Sequence, residues 1–162
     1  MKKCLLVFIL FTWHFCASAA VILQYHHVSD DTPSSTSISP EQFAAHMKYL
    51  KDNNFNVVPL SDVIEAIKSQ TPLTDKSVVI TFDDAYTNVL ENGTPVLEEY
   101  GYPYTIFVNS AIIDRKSKSY LSWQQLKTLA DKGVIIANHG LEHDSLARVT
   151  PGMSEAVWLK EH

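Results

Sequence analysis

Apolar runs alternate with amphipathic stretches along most of this chain. Between the runs, apolar residues recur at helical spacing, as Phe43, Met47 and Leu50 do. Near-continuous apolar strands separated by amphipathic helices predict a parallel α/β sheet, either an open doubly wound sheet or part of a barrel. The five predicted strands are residues 21–26, 55–58, 77–82, 104–108 and 134–137.

Capping residues set the predicted helix boundaries. Ser39 is the expected N-cap of the first helix, with Pro40 at its first position and Gln42 completing a capping box. Ser61 is the expected cap of the second helix. Val63, Ile64 and Ile67 form the predicted apolar stripe of this second helix. A third helix is predicted over 89–100; Gly93 and Pro95 should disturb its start, and Gly101 should end it. A capping box at Ser122 and Gln125 predicts the start of a fourth helix, and a further helix is predicted over 154–160.

The N-terminus has the pattern of a secretory signal peptide. Lys2 and Lys3 precede an apolar stretch over 5–15, and the small residues 17–19 suit a signal peptidase. We therefore predict a cleaved signal over 1–19 and a domain over 20–162, exported to the periplasm or secreted. The apolar stretch is too short for a membrane span, so no stable span is expected after cleavage; an uncleaved anchor is the alternative. Bulky residues before Cys16 argue against lipoprotein attachment.

Composition and charge narrow the function further. Both cysteines, Cys4 and Cys16, lie inside the predicted signal, so the mature domain would need no disulfide framework. The formal charge is -5, and it becomes -7 when Lys2 and Lys3 are removed. Nucleic-acid binding requires clustered basic residues, so we expect no nucleic-acid partner. The length and the 46% apolar content suit one soluble domain.

Metal-competent side chains follow two of the predicted strands. Asp83 and Asp84 follow strand 77–82, and His139 and His143 follow strand 134–137. The carboxyl ends of parallel strands meet at one edge, so both pairs should share that edge. Neighbours in an ideal strand point to opposite faces. Both aspartates can therefore serve one site only if the chain leaves extended geometry there.

Two imidazoles and one carboxylate make a three-ligand set. Such a set leaves positions open for water and substrate, as catalytic zinc requires, and the second carboxylate can act as a general base. Taken separately, an Asp–Asp pair after a strand is often a solvated turn. Non-haem iron oxygenases use similar ligands but usually on antiparallel double-sheet folds. A zinc protease is disfavoured, because the arrangement around Glu142 lacks the expected third ligand.

These residues resemble the motifs of a known family. Residues 81–84 and 139–143 look like the first two motifs of the polysaccharide deacetylases, the NodB-homology family. Residues 22–28, 39–43 and 55–60 are similar to a bacterial subgroup that includes exported poly-N-acetylglucosamine deacetylases. The resemblance implies a distorted (β/α) barrel with fewer than eight strands. It also implies hydrolysis of N-acetyl, or sometimes O-acetyl, groups on sugars.

The resemblance also implies residue roles. Asp83 would be the catalytic base, and Asp84, His139 and His143 would hold a divalent metal, with zinc the expected ion. The expected partner is an acetylated polysaccharide: poly-N-acetylglucosamine, a chitin-like polymer, peptidoglycan or xylan. Tyr104 and Trp123 are interpreted as core aromatics rather than sugar contacts.

The chain departs from the family pattern in two ways. Gly140 replaces the usual Ser or Thr after the first histidine, so a loop-stabilising hydrogen bond is expected to be missing. The family's third motif, with an Arg and a Pro-Pro-aromatic run, and its later histidine motif find no match after 150–151. We therefore expect a partial barrel of about five strands, C-terminally incomplete, without a visible general acid.

The missing acid leaves three hypotheses for the function. The first is a metal-dependent polysaccharide deacetylase in which His26 or His27, at another strand end, replaces the acid. The others are a catalytically inactive carbohydrate-binding relative and a non-functional fragment. An incomplete barrel should also leave an unpaired strand edge and exposed core.

Overall fold

A computed structural model of the protein describes residues 19–143, 149 and 151–161. The strands are β1 Val21–Tyr25, β2 His27–Val28, β3 Ser37–Ile38, β4 Asn56–Val57, β5 Ser77–Phe82, β6 Thr105–Val108 and β7 Ile135–Asn138. The helices are α1 Pro40–Asp52, α2 Leu60–Ser69, α3 Thr94–Tyr100, α4 Ser110–Asp114, α5 Trp123–Asp131 and α6 Glu155–Glu161, with a π-helical turn at Val89–Gly93.

Five of the strands form one parallel sheet. Its order is β1–β5–β6–β7, and β4 pairs with the start of β5 on the edge opposite β1. Phe82 at the end of β5 lies in register with Tyr25 of β1 and Ile106 of β6. The carboxyl ends of these strands therefore share one edge, which is where α/β proteins bind ligands. The prediction of a five-stranded parallel α/β sheet is confirmed.

The core fills the helix-covered face of the sheet. Phe82 is fully buried, and its ring lies 5.6 to 5.8 Å from the rings of Tyr25, Phe43 and Tyr104. Burying one such side chain contributes about 1.5–3 kcal/mol. The predicted α1 stripe is confirmed, because Phe43, Met47 and Leu50 are all buried. Side chains alternate between the two faces of a strand, so the residues between these core positions point to the other face of the sheet, where the candidate site lies.

Two predictions of buried residues are wrong, at positions whose burial depends on where their element lies in the whole fold. The first strand was predicted to be buried, but Val21 and Ile22 are 55% and 52% exposed. Within the described residues β1 pairs only with β5, so it is an edge strand and one of its sides is uncovered. Trp123, predicted to be a core residue, is 47% exposed, whereas Tyr104 is buried as expected.

The second helix also differs from its prediction. It begins at Leu60 with Pro59 as its N-cap, so Ser61 lies inside the helix. Its buried residues are Val63 and Ala66, while Ile64 and Ile67 are exposed. The helix α4 and the small β2–β3 pair were not predicted, because two to five residues are too few to show a periodicity.

The predicted signal peptide and the question of a membrane span concern the N-terminal residues. Residues 1–18, nearly all of the predicted signal peptide, lie outside the described residues. Among the residues that are described, no helix combines the length and apolarity needed to cross a membrane.

The corrected start of α2 gives a paired test of helix capping. Ser39 Oγ accepts a hydrogen bond from the Gln42 N–H at 3.1 Å, so Ser39→Ala should cost about 1 kcal/mol of unfolding free energy. Ser61→Ala lies inside α2 and should change it by less than about 0.5 kcal/mol. Urea denaturation measures both. Equal losses from the two substitutions would contradict the observed helix boundaries.

Candidate active site

The end of β5 turns two adjacent carboxylates toward one site. The Asp83 N–H still donates to the Tyr25 carbonyl at 2.9 Å, which continues the strand ladder. Asp84 and Ala85 then adopt left-handed backbone, with φ of 68° and 57°. This is the departure from extended geometry that the aspartate pair requires. Both carboxylates are buried, 5% exposed each.

The loop after β7 brings two imidazoles to Asp84. The His139 N–H donates to the Val108 carbonyl at 2.8 Å, so this residue still extends the sheet. The Nε2 atoms of His139 and His143 each lie 3.4 Å from Asp84 Oδ1. One donor atom from each of the three residues lies within 4.8 Å of the others. The structure therefore groups the three predicted ligands.

The Asp84 carboxylate has the features of an unsatisfied metal ligand. Its Oδ1 atom is buried and accepts no hydrogen bond within the described part of the chain. Such an atom normally finds a partner. Ligands at zinc bond lengths around a tetrahedral ion stand about 3.3 Å apart, close to the two observed separations. Two nitrogens and one oxygen also suit zinc. The three residues fit a divalent metal ion.

Asp83 occupies a different environment from Asp84. Gln24 Nε2 donates to its Oδ2 atom. His26 Nε2 lies 3.8 Å and His139 Nε2 lies 3.9 Å from the same oxygen. Asp83 also lines a cavity of about 300 Å³ on the sheet face opposite the core, together with Thr81 and Phe107. This carboxylate therefore faces open space beside the three candidate ligands.

The two N-terminal histidines have separate surroundings. The ring of His27 is buried and stacks on Tyr86 with 3.6 Å between centroids. The Asn88 amide donates to His27 Nδ1 at 3.0 Å, so the proton of the neutral ring lies on Nε2. Burial lowers the pKa of His27 from its usual value. His26 is the histidine that faces Asp83.

The histidine loop is held by hydrogen bonds that the sequence did not reveal. Gly140 has a φ of 89°, which glycine adopts without strain, and its N–H donates to Asn138 Oδ1 at 3.0 Å. Buried Asn109 donates from Nδ2 to the His139 carbonyl at 2.5 Å, and the Ala111 N–H donates to the Leu141 carbonyl at 3.0 Å. Gly140 has no hydroxyl to make the hydrogen bond expected of Ser or Thr at this position, and these other hydrogen bonds hold the loop.

Sequence reasoning missed Gln24 and Asn109 as parts of this site. Asn109 directly follows β6, as Asp83 follows β5, so the strand-end rule would have found it. Gln24 interrupts an apolar strand with a polar side chain, which is the signal that could have pointed to a site-facing position.

Comparison with known proteins identifies the family. A family model described as polysaccharide deacetylase matches residues 70–157, just over half of the chain. The chain belongs to the polysaccharide deacetylase family. The predicted family resemblance is therefore confirmed.

Two curated relatives and one solved structure illustrate the likeness. A Bacillus subtilis protein named as a polysaccharide deacetylase, YxkH, is 33% identical over 135 residues, which is 83% of this chain and 47% of that protein. A poly-β-1,6-N-acetyl-D-glucosamine N-deacetylase of Escherichia coli strain K12 is 23% identical over 170 residues, covering 88% of this chain and 24% of that protein. The structure of IcaB from Ammonifex degensii superposes with a TM-score of 0.75 at 27% identity, covering 88% of this chain and 64% of that one.

The relatives are longer than this deacetylase-family chain. It spans about half the length of the Bacillus protein and about a quarter of the Escherichia protein. The residues that the family model matches, 70–157, include β5, β6 and β7 and both strand ends that carry the candidate ligands.

Asn109 gives a direct test of how the histidine loop is held. Asn109→Ala removes a fully buried donor and leaves the His139 carbonyl without it, so we expect a loss of about 2 kcal/mol in unfolding free energy. Asn138→Ala, a more exposed partner on the same loop, should cost about 0.5 kcal/mol or less. Amide exchange at 139–141 should accelerate more in the Asn109 variant. The reverse order would show that Asn109 does not anchor the loop.

Proposed function

We propose that this chain is a metal-dependent hydrolase that removes N-acetyl groups from an extracytoplasmic polysaccharide. One observation carries the proposal: a buried oxygen of Asp84, which accepts no hydrogen bond from the described residues, lies 3.4 Å from the Nε2 atoms of both imidazoles and beside a second carboxylate. The first residues support an extracytoplasmic location through their signal-peptide pattern.

Poly-N-acetylglucosamine is the proposed substrate. The Escherichia relative carries that polymer in its name. The formal charge of -5 is compatible with a neutral acetylated polymer and with the cationic amine that deacetylation produces. Chitin-like polymers, peptidoglycan and O-acetylated xylan are the alternatives that an activity panel would separate.

Each site residue has a proposed task. Asp84, His139 and His143 would hold the divalent ion, which we expect to be zinc. When bound, zinc supplies a Lewis acid that polarises the acetamide carbonyl and lowers the pKa of water to about 7. Asp83 accepts the proton of the attacking water, because its carboxylate is next to the ligands and faces the cavity. Gln24 orients that carboxylate by donating to Oδ2.

His26 is the proposed donor of the proton to the departing amine. It lies on the Asp83 side of the site, with its Nε2 atom 3.8 Å from Asp83 Oδ2. His27 is unsuited to this task. Its ring is packed on Tyr86 and bonded to Asn88, and burial lowers its pKa.

Substitutions of the two aspartates should have different effects on metal binding and on catalysis. Asp83→Asn should keep zinc but lower the rate of acetate release about 10²- to 10⁴-fold, because it removes a general base. Asp84→Ala should lose zinc. Metal content and acetate release from a poly-N-acetylglucosamine oligomer measure both, with Asp131→Asn on the surface as control. An Asp84→Ala variant that retains zinc would contradict the ligand assignment; zinc-loaded wild-type chain that binds the oligomer without releasing acetate would favour an inactive binding relative.

His26 can be tested with two leaving groups. A departing amine needs a proton, whereas the phenolate of an aryl acetate leaves without one. His26→Ala should therefore lower kcat on the acetamide substrate by about 10²-fold while sparing the aryl ester. His27→Gln should affect both substrates equally, through packing. Equal loss on both substrates in His26→Ala, or full amide activity, would remove His26 from the mechanism.

A further inference from the structure

A second concavity lies at the same edge of the sheet as the metal ligands. Its volume is about 540 Å³, which falls in the range of small-ligand sites. It lies between the end of α4 and the start of α5, and we refer to it as the Trp123 groove. Its lining includes Asp114, Lys116, Lys118, Tyr120 and Trp123.

Backbone pairing joins the Trp123 groove to the metal site. The segment 119–121 lies against the residues that directly follow Asp84: the Leu121 N–H donates to the Ala85 carbonyl at 2.8 Å, and the Thr87 N–H donates to the Ser119 carbonyl at 2.9 Å. The rings of Tyr86 and Tyr120 stack with 4.9 Å between centroids. The segment that follows Asp84 therefore packs directly against the segment that leads to Trp123.

Trp123 is held in position although it is exposed. Its indole N–H donates to Asp114 Oδ1 at 2.7 Å. It is the first residue of α5, directly after Ser122, whose capping box with Gln125 fixes that helix end. An exposed aromatic ring with its polar edge already bonded presents its apolar face. Sugar rings stack their C–H faces on such surfaces.

We propose that the Trp123 groove binds an N-acetylhexosamine unit of the same polysaccharide molecule that is deacetylated at the metal. The proposal rests on the proposed function above. Trp123 would stack on the sugar ring, while the ammonium groups of Lys116 and Lys118 would donate to hydroxyl and acetamide oxygens. The groove would thus favour oligomers over single sugars.

Binding can be measured without catalysis. We would titrate the full chain carrying Asp83→Asn with a β-1,6-linked N-acetylglucosamine pentasaccharide and follow the tryptophan indole N–H signals by NMR. The Trp123 signal, assigned by its loss in Trp123→Phe, should shift. The signal of Trp158, which is 2% exposed, is the internal control and should not. Absence of a Trp123 shift at saturating pentasaccharide would overturn the proposal.

Substitutions of Trp123 then show whether its ring stacks on the sugar or merely lies near it. Trp123→Ala should weaken pentasaccharide binding about 10-fold, and Trp123→Phe only about twofold, since Phe keeps an aromatic face. In the zinc-loaded wild-type background, Trp123→Ala should raise KM for the pentasaccharide about 10-fold and leave aryl acetate hydrolysis unchanged. Unchanged pentasaccharide affinity in the Trp123→Ala variant would overturn the proposal that the Trp123 groove binds sugar.

The two proposals can fail independently. Wild-type chain that releases no acetate but shows the Trp123 shift would contradict the hydrolase and support the groove. Normal acetate release without any Trp123 effect would support the hydrolase and contradict the groove.

Discussion

The left-handed turn at Asp84 and Ala85 is the constraint on which this site depends. Without it, adjacent residues at the end of β5 would point to opposite faces, and one carboxylate would be lost to the site. Two consecutive non-glycine residues in this conformation cost on the order of 1–3 kcal/mol each, so the surroundings must hold them. The Asp83 N–H bond to Tyr25 fixes the start of the turn, and the Leu121 N–H bond to the buried Ala85 fixes its end.

The same turn explains why two identical side chains have different surroundings. Buried carboxylates are costly unless they are paired or bonded. Asp83 accepts a hydrogen bond from the Gln24 amide, and His26 Nε2 lies 3.8 Å from its carboxylate. Asp84 instead has two imidazoles 3.4 Å from its Oδ1 atom, which accepts no hydrogen bond from the residues that the structure describes and which a cation would satisfy. Because segment 119–121 supports the turn, the Trp123 groove and the candidate metal ligands depend on the same backbone contacts.

Much of the fold was accessible from local patterns. The third strand was predicted to the residue, since β5 runs over Ser77–Phe82 and all six residues are buried. The Ser39 and Ser122 helix starts were also correct. Local patterns could not predict that Val21 and Trp123 are exposed, because their exposure depends on which elements lie at the edge of the described sheet and at the groove. Periodicity records which residues share a face, but not what covers that face.

For the site, chain order was enough to place both residue pairs at one edge. It was not enough to find Gln24 and Asn109, whose partners are 59 and 30 residues away. It also could not rank His26 against His27, because the difference is a matter of contacts: one faces a carboxylate and the other packs on Tyr86. Long-range hydrogen bonds therefore supplied what the motifs left open.

X-ray absorption of the zinc-loaded chain tests the central claim most directly, that the turn after β5 joins Asp84 to both histidines around one ion. The account predicts two imidazole nitrogens at about 2.0–2.1 Å and one carboxylate oxygen at about 2.0–2.2 Å. It also predicts that Asp83→Asn leaves this spectrum unchanged. A spectrum with fewer than two imidazoles, or one in which Asp83→Asn removes the carboxylate signal, would contradict it.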